Sequence, residues 1–172
     1  MIYAYGMELL ISDVLNTIIV LLIALFSHTL PAVVVFIAVF MGLRQFVGGF
    51  HANSHLSCMF TLVMVMMVFS YGICNVSGHI TPIFSISFIM IALPIILCIA
   101  PVPHPNKPMS EEKSVKLRKR SCILAVTLSV VTIALLVFQY QKLSLYVSSG
   151  MLLSAIMALL GHFLNRGDNS KR

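Results

Sequence analysis

The sequence predicts an all-α, polytopic membrane protein of about six transmembrane helices, one of them preceded by a bent or re-entrant segment. Three observations carry that prediction. Hydrophobic residues make up 59% of the chain and charged residues 9%, a balance foreign to soluble globular domains. The apolar residues gather in runs of about 18 or more, the length a helix needs to cross a hydrocarbon core of ~30 Å. Polar residues fall in short turns between those runs and in one long polar segment, residues 101–120. Residues 1–172 are expected to form a single integral-membrane domain, with no internal repeat or low-complexity tract.

Residues 1–8 make an interfacial start, with Tyr3 and Tyr5 suited to the headgroup layer. A first span covers 9–26, and Ser27, His28 and Thr29 form a polar turn before Pro31. Proline is accepted in the first turn of a helix, so the second span starts there. Its apolar run, 31–43, is short for a crossing, so the helix is expected to continue through Val47 with Arg44 snorkelling to the boundary. A third span at 56–73 is rich in methionine, which reads as packing or lipid contact rather than a cofactor box. A turn at 75–79 leads to a fourth span, 80–100, with Pro94 inside it as a kink point. His28 and His79 are expected to be solvated turn residues.

The segment 101–120 starts proline-rich and extended, and Ser110, Glu111 and Glu112 are suited to start a short helix feeding the basic run 116–120. A fifth span is expected at 122–138, a turn at 139–143 and a sixth span at 144–164. Gly150, Ser154 and Ala158 recur every four residues in the last span, a pattern that permits close helix packing or dimerisation.

Ten of the eleven Lys and Arg fall on one side of this arrangement: Arg44, those of 101–120, and those of the C-terminal tail. The eleventh, Lys142, is on the other. The positive-inside rule then places both termini and the basic segment in the cytoplasm. The net charge of +6 is thus a topology signal, and no nucleic-acid partner is expected. The four cysteines are widely spaced, so no disulfide framework is expected, and no cleavable signal peptide is either.

Chemistry concentrates in residues 44–58, RQFVGGFHANSHLSC. A thiol is a useful nucleophile only as thiolate, and a free cysteine has a pKa near ~8.5, so a neighbouring imidazole matters. His51 and His55 precede Cys58 by seven and three residues. On a straight helix, seven residues span about 10 Å along the axis, whereas a general base must come within roughly 3 Å of its proton, or act through one water. If His51 activates Cys58, the backbone between them folds back, and Gly48, Gly49 and Asn53 suit such a bend. A helix starting beside Cys58 would favour the thiolate further. Glu8 and Asp13 are the only acids among the first hundred residues. They fit a helix start at the water boundary, or one of them orients His51 or pairs with Arg44.

The set Arg44, Gly48-Gly49, His51 and Cys58 resembles the signature of the accessory gene regulator B (AgrB) family of membrane cysteine endopeptidases. The opening YAYGMELL and the proline-rich, then basic, segment 101–120 resemble that family as well. The resemblance implies His51 and Cys58 as catalytic pair, with Arg44 and Gly49 at family motif positions; Gly48, near the oxyanion, and Glu8, orienting His51 or pairing with Arg44, are supporting candidates from their own chemistry. It implies a bacterial cell membrane, a short precursor peptide with an acidic C-terminal tail as substrate, and a cyclic thiolactone or lactone quorum-sensing signal as product. Lys116, Arg118, Lys119 and Arg120 would receive the tail or hold anionic membrane lipid. A homodimer is implied too, with no cofactor and no metal. Family members usually carry an amphipathic segment ahead of the tyrosine–glycine motif, whereas this sequence starts almost at it.

Other readings of the same residues stand. Cys58 could be packing in a non-enzymatic membrane protein such as a small transporter or channel subunit, or the nucleophile of an acyl transferase. His51, His55 and Cys58 form H-x3-H-x2-C, three of the four ligands a zinc site requires.

Overall fold

The computed structural model describes residues 14, 17–47, 64–65, 68–77, 79–101 and 111–169, and these are helix and turn throughout, as the apolar runs predict. The helices are α1 (Thr17–Phe26), α2 (Leu30–Val47), α3 (Thr81–Ile99), α4 (Glu111–Val137) and α5 (Gln141–Asn169). A π-helical turn, Phe69–Ile73, precedes α3. Among the described residues, four helices are long and apolar enough to cross a membrane, and α1 is a shorter apolar one. This is a membrane protein. The first and third expected spans fall partly outside the described residues. The chain divides into two compact units, Met1–Val34 with Ala52–Val76, and Val35–His51 with Ser77–Arg172.

In the smaller unit, α1 buries Val20 and Ala24, four residues apart on one face, and leaves Ile18, Leu22 and Phe26 exposed. It ends with His28 at φ 54. The Thr29 N–H donates to the Ala24 carbonyl at 3.0 Å, and the His28 N–H to Leu25 at 3.2 Å. That crossed pair caps a helix through one left-handed residue, a position glycine usually fills. The side chain of His28 is exposed, as expected. The chain then enters α2, with Pro31 in its first turn. At Phe69–Ile73 the Cys74 N–H reaches back five residues to the Phe69 carbonyl at 3.0 Å, the spacing of a π turn.

The larger unit holds most of α2 with α3, α4 and α5. Its core joins Leu43 and Val47 of α2, Ala92 and Ile96 of α3, Ala125 of α4, and Met151, Ala155 and Ala158 of α5. The alanines let helix backbones come close, which matters where lipid removes the hydrophobic drive between helices. Near the other end of the core, the buried hydroxyls of Ser85 on α3 and Ser144 on α5 share a hydrogen bond of 3.0 Å. Both lie near their helix starts, so α3 and α5 run parallel. A tight turn with Gln139 at φ 66 reverses the chain between α4 and α5. It repeats the crossed cap, the Tyr140 N–H donating to Leu135 at 2.8 Å.

α2 packs on α5 at Gly150. A Cβ there would lie 3.0 Å from the Phe36 carbonyl oxygen and 3.1 Å from the Val39 Cβ. One turn on, the Ser154 Oγ donates to the Gly150 carbonyl at 3.0 Å and lies 3.5 Å from the Phe40 carbonyl. The contacts advance by four residues on both helices, so α2 and α5 are also parallel. The stripe of Gly150, Ser154 and Ala158 is therefore used in packing within one chain. It follows that the C-terminal ends of α2, α3 and α5 and the start of α4 share one end of the unit.

One element differs from expectation. Residues 111–120 are helical, as the sequence suggests, but they are not a separate short helix: they are the first turns of α4, continuous with the span for 27 residues. Glu112 accepts a hydrogen bond from Lys116 at 2.7 Å, with the acid N-terminal to the base, the favoured orientation. Ser121 below them is fully buried, so the packed face begins before the apolar run does.

Gly150→Val tests the close approach of α2 and α5. Branched atoms there would meet backbone and Val39, and overpacking of this kind costs about 1–3 kcal/mol. We expect a lower unfolding midpoint in detergent, and an unchanged midpoint would show the helices free to separate.

Candidate functional site

Of the expected site residues, Arg44 and the basic run of α4 are among those described. Glu8, Gly48, Gly49, His51 and Cys58 lie outside the described residues, as does His55. The surroundings of Arg44 are built from the sequence upward. Phe36, Phe40 and Arg44 are spaced by four, so a helix stacks them along one side. The rings of Phe36 and Phe40 lie nearly parallel, 11° apart with centroids at 6.3 Å. The Arg44 guanidinium carbon sits over the Phe40 ring, 5.6 Å from its centroid. Both rings are buried and Arg44 is half-buried.

This stack is anchored by α5, because Gly150 lies against the Phe36 carbonyl. Arg44 is thus held at the last turn of α2 by a cation–π contact whose base cannot shift without moving the helix pair. Below it, Leu43 and Val47 are fully buried. Residues 48–58 follow directly from this seated turn in the sequence. A guanidinium offers a planar set of donors to carboxylate or oxyanion, which an ammonium does not reproduce. The motif F-x3-F-x3-R was visible in the sequence as i, i+4 spacing; its meaning required knowing that the ring face is turned inward.

Lys116, Arg118, Lys119 and Arg120 are all exposed on the first turns of α4. They lie at the same end of the unit as Arg44, while Lys142 lies in the first turn of α5 at the opposite end. They do not share one face. At about 100° per residue, Arg118 is turned beside the packed side of α4 and the other three point away from it. Cys98 is exposed, Cys74 and Cys122 are half-buried, and none of the three is in a disulfide. Among the described residues no group of His, Cys, Asp and Glu is arranged to hold a metal.

The contact between Arg44 and Phe40 is measurable. In a double-mutant cycle of Arg44→Ala and Phe40→Leu, unfolding in detergent should show a coupling of about 0.5–1 kcal/mol. Additive effects would mean the ring does not hold the guanidinium.

Comparison with known proteins places these residues in context. The family described as accessory gene regulator B matches residues 1–158. An AgrB-like protein of Clostridium beijerinckii is 24% identical over 116 residues, covering 66% of this chain and 56% of that protein. The alignment thus spans little more than half the length of that curated relative. No solved structure matches the chain.

Proposed function

This chain belongs to the accessory gene regulator B family, and from that premise we propose that it is a membrane cysteine endopeptidase of an agr-type quorum-sensing system. In this reading it cuts a short precursor peptide and cyclises the retained part. The observation that carries the proposal is the family match itself, which takes in the whole stretch from Arg44 to Cys58. The seating of Arg44 at the last turn of α2 adds support, since it provides a fixed cation four residues before Gly48.

The chemistry follows from the residue types. His51 takes the proton of Cys58, and the thiolate attacks one backbone carbonyl of the precursor. Backbone N–H groups near Gly48-Gly49 hold the oxyanion. The tetrahedral adduct collapses as the C–N bond breaks, His51 returns the proton to the leaving amine, and the tail departs. What remains is a thioester between Cys58 and the N-terminal part. An internal thiol or hydroxyl of the peptide attacks that thioester, freeing Cys58 and closing a thiolactone or lactone. Water would hydrolyse the thioester and waste the product, which favours a poorly hydrated site.

Charge sets the direction. With the basic end cytoplasmic, by the positive-inside rule, the reacting segment meets newly made precursor, and the acidic tail is drawn to that end. A reducing compartment keeps the thiol free. A homodimer in this reading would use a face other than the Gly150 stripe, which α2 already covers.

The test is co-expression with short precursor peptides and mass measurement of the products. The native chain should yield a tail fragment and a cyclic product lighter by one water than the linear acid. Cys58→Ser and His51→Ala should each lower cleavage by at least about a thousandfold. Undiminished processing by either variant, or acyl loading of Cys58 with no peptide cut, would defeat the assignment.

A further inference from the structure

The outward strip of α4 changes character along its length. Leu117, Ser121 and Ala125 mark its packed side. On the opposite side Lys116, Lys119 and Arg120 lead into Ile123, Val126 and Val130, all exposed. The hydroxyl on that apolar stretch, Thr127, donates to the Ile123 carbonyl at 2.8 Å and so presents a methyl group outward. The strip thus carries Lys116, Lys119 and Arg120 in its first turns, with exposed Glu112 and Val115 among them, and is apolar beyond them except for Thr127.

Its dimensions match one leaflet boundary to the other. From Arg120 to Val137 the helix rises about 26 Å. Just past that point Phe138 and Tyr140 stand 72% and 63% exposed, as aromatic residues do at a membrane–water interface. With the aromatic pair at one edge of a ~30 Å hydrocarbon layer, Lys119 and Arg120 lie at the other. Lys116 is already paired with Glu112. Lys119 and Arg120 have no ion pair among the described residues.

We propose that this strip binds one anionic phospholipid. Its phosphate lies between Lys119 and Arg120, where the guanidinium offers paired donors, and an acyl chain runs along Ile123, Val126 and Val130. An acidic peptide tail would match the two cations but leave the contiguous apolar strip unused. A phospholipid matches both at the depth where headgroup and chain meet. Arg118, turned beside the packed side, is not part of the site.

The experiment uses the full chain in neutral detergent, titrated with phosphatidylglycerol or phosphatidylcholine of equal chain length and read by native mass spectrometry. Phosphatidylglycerol should be retained and phosphatidylcholine should not. Neutralising one basic residue beside a phosphate costs roughly fivefold in affinity, so Arg120→Gln should lose about that much. Lys119→Gln with Arg120→Gln should lose about thirtyfold. Arg118→Gln and Lys142→Gln should bind as the native chain does. So should the exchange of Lys119→Arg with Arg120→Lys, which keeps both charges. Equal retention by the neutralised variants overturns the proposal. So does displacement of the lipid by a hexaglutamate peptide, or by glycerol phosphate without chains, at matched concentration.

Discussion

The close approach of α2 and α5 is the constraint on which the rest of the larger unit depends. In lipid, apolar side chains gain little by facing one another, so helices stay together where backbones come near enough for dense packing. Gly150 allows that at the Phe36 carbonyl and Val39. The Ser85–Ser144 hydrogen bond between α3 and α5 does the same work by other means, since an unpaired hydroxyl in hydrocarbon is costly. The parallel arrangement of α2, α3 and α5 brings their C-terminal ends together. Four helix ends, most of the described charge and the exit of α2 then share one end of the unit.

Under the proposed function, the segment assigned to the chemistry follows α2 in the sequence. The last turns of α2 are well held: Leu43 and Val47 are fully buried in the core, and Arg44 lies over the Phe40 ring. The cation sits half-buried there, at the last turn of α2. The peptidase reading assigns that fixed cation and the glycine pair to the handling of developing negative charge.

Much of the fold was legible in the sequence because membrane spans announce themselves by composition. The turns at Ser27–Thr29 and at Gln139, the start of α2 at Pro31 and its continuation through Val47 follow from apolar runs and their punctuation. What was not legible has a common cause. Hydropathy marks where lipid begins, not where a helix begins, so the helix start at 110–112 was legible but its continuity with the fifth span was not. The exposed Glu112–Lys116 pair and the buried Ser121 are consistent with that continuity. In the same way, a stripe of small residues announces a close neighbour without naming it; the neighbour of Gly150 is α2 of the same chain. His28 and Gln139 adopt the left-handed turn that glycine usually supplies, which no composition rule predicts. For the site, the residue types of 44–58 suggested the chemistry, and the expected bend between His51 and Cys58 lies outside the described residues.

The central claim is that His51 and Cys58 meet although they lie seven positions apart in the sequence. The most direct measurement replaces His51 with cysteine in a chain whose Cys74, Cys98 and Cys122 are serine, and follows oxidation by mass. A disulfide needs its Cβ atoms about 4 Å apart. A folded-back segment predicts a rapid intramolecular bond between positions 51 and 58. Two thiols that stay free, as they would about 10 Å apart on a straight helix, would contradict it.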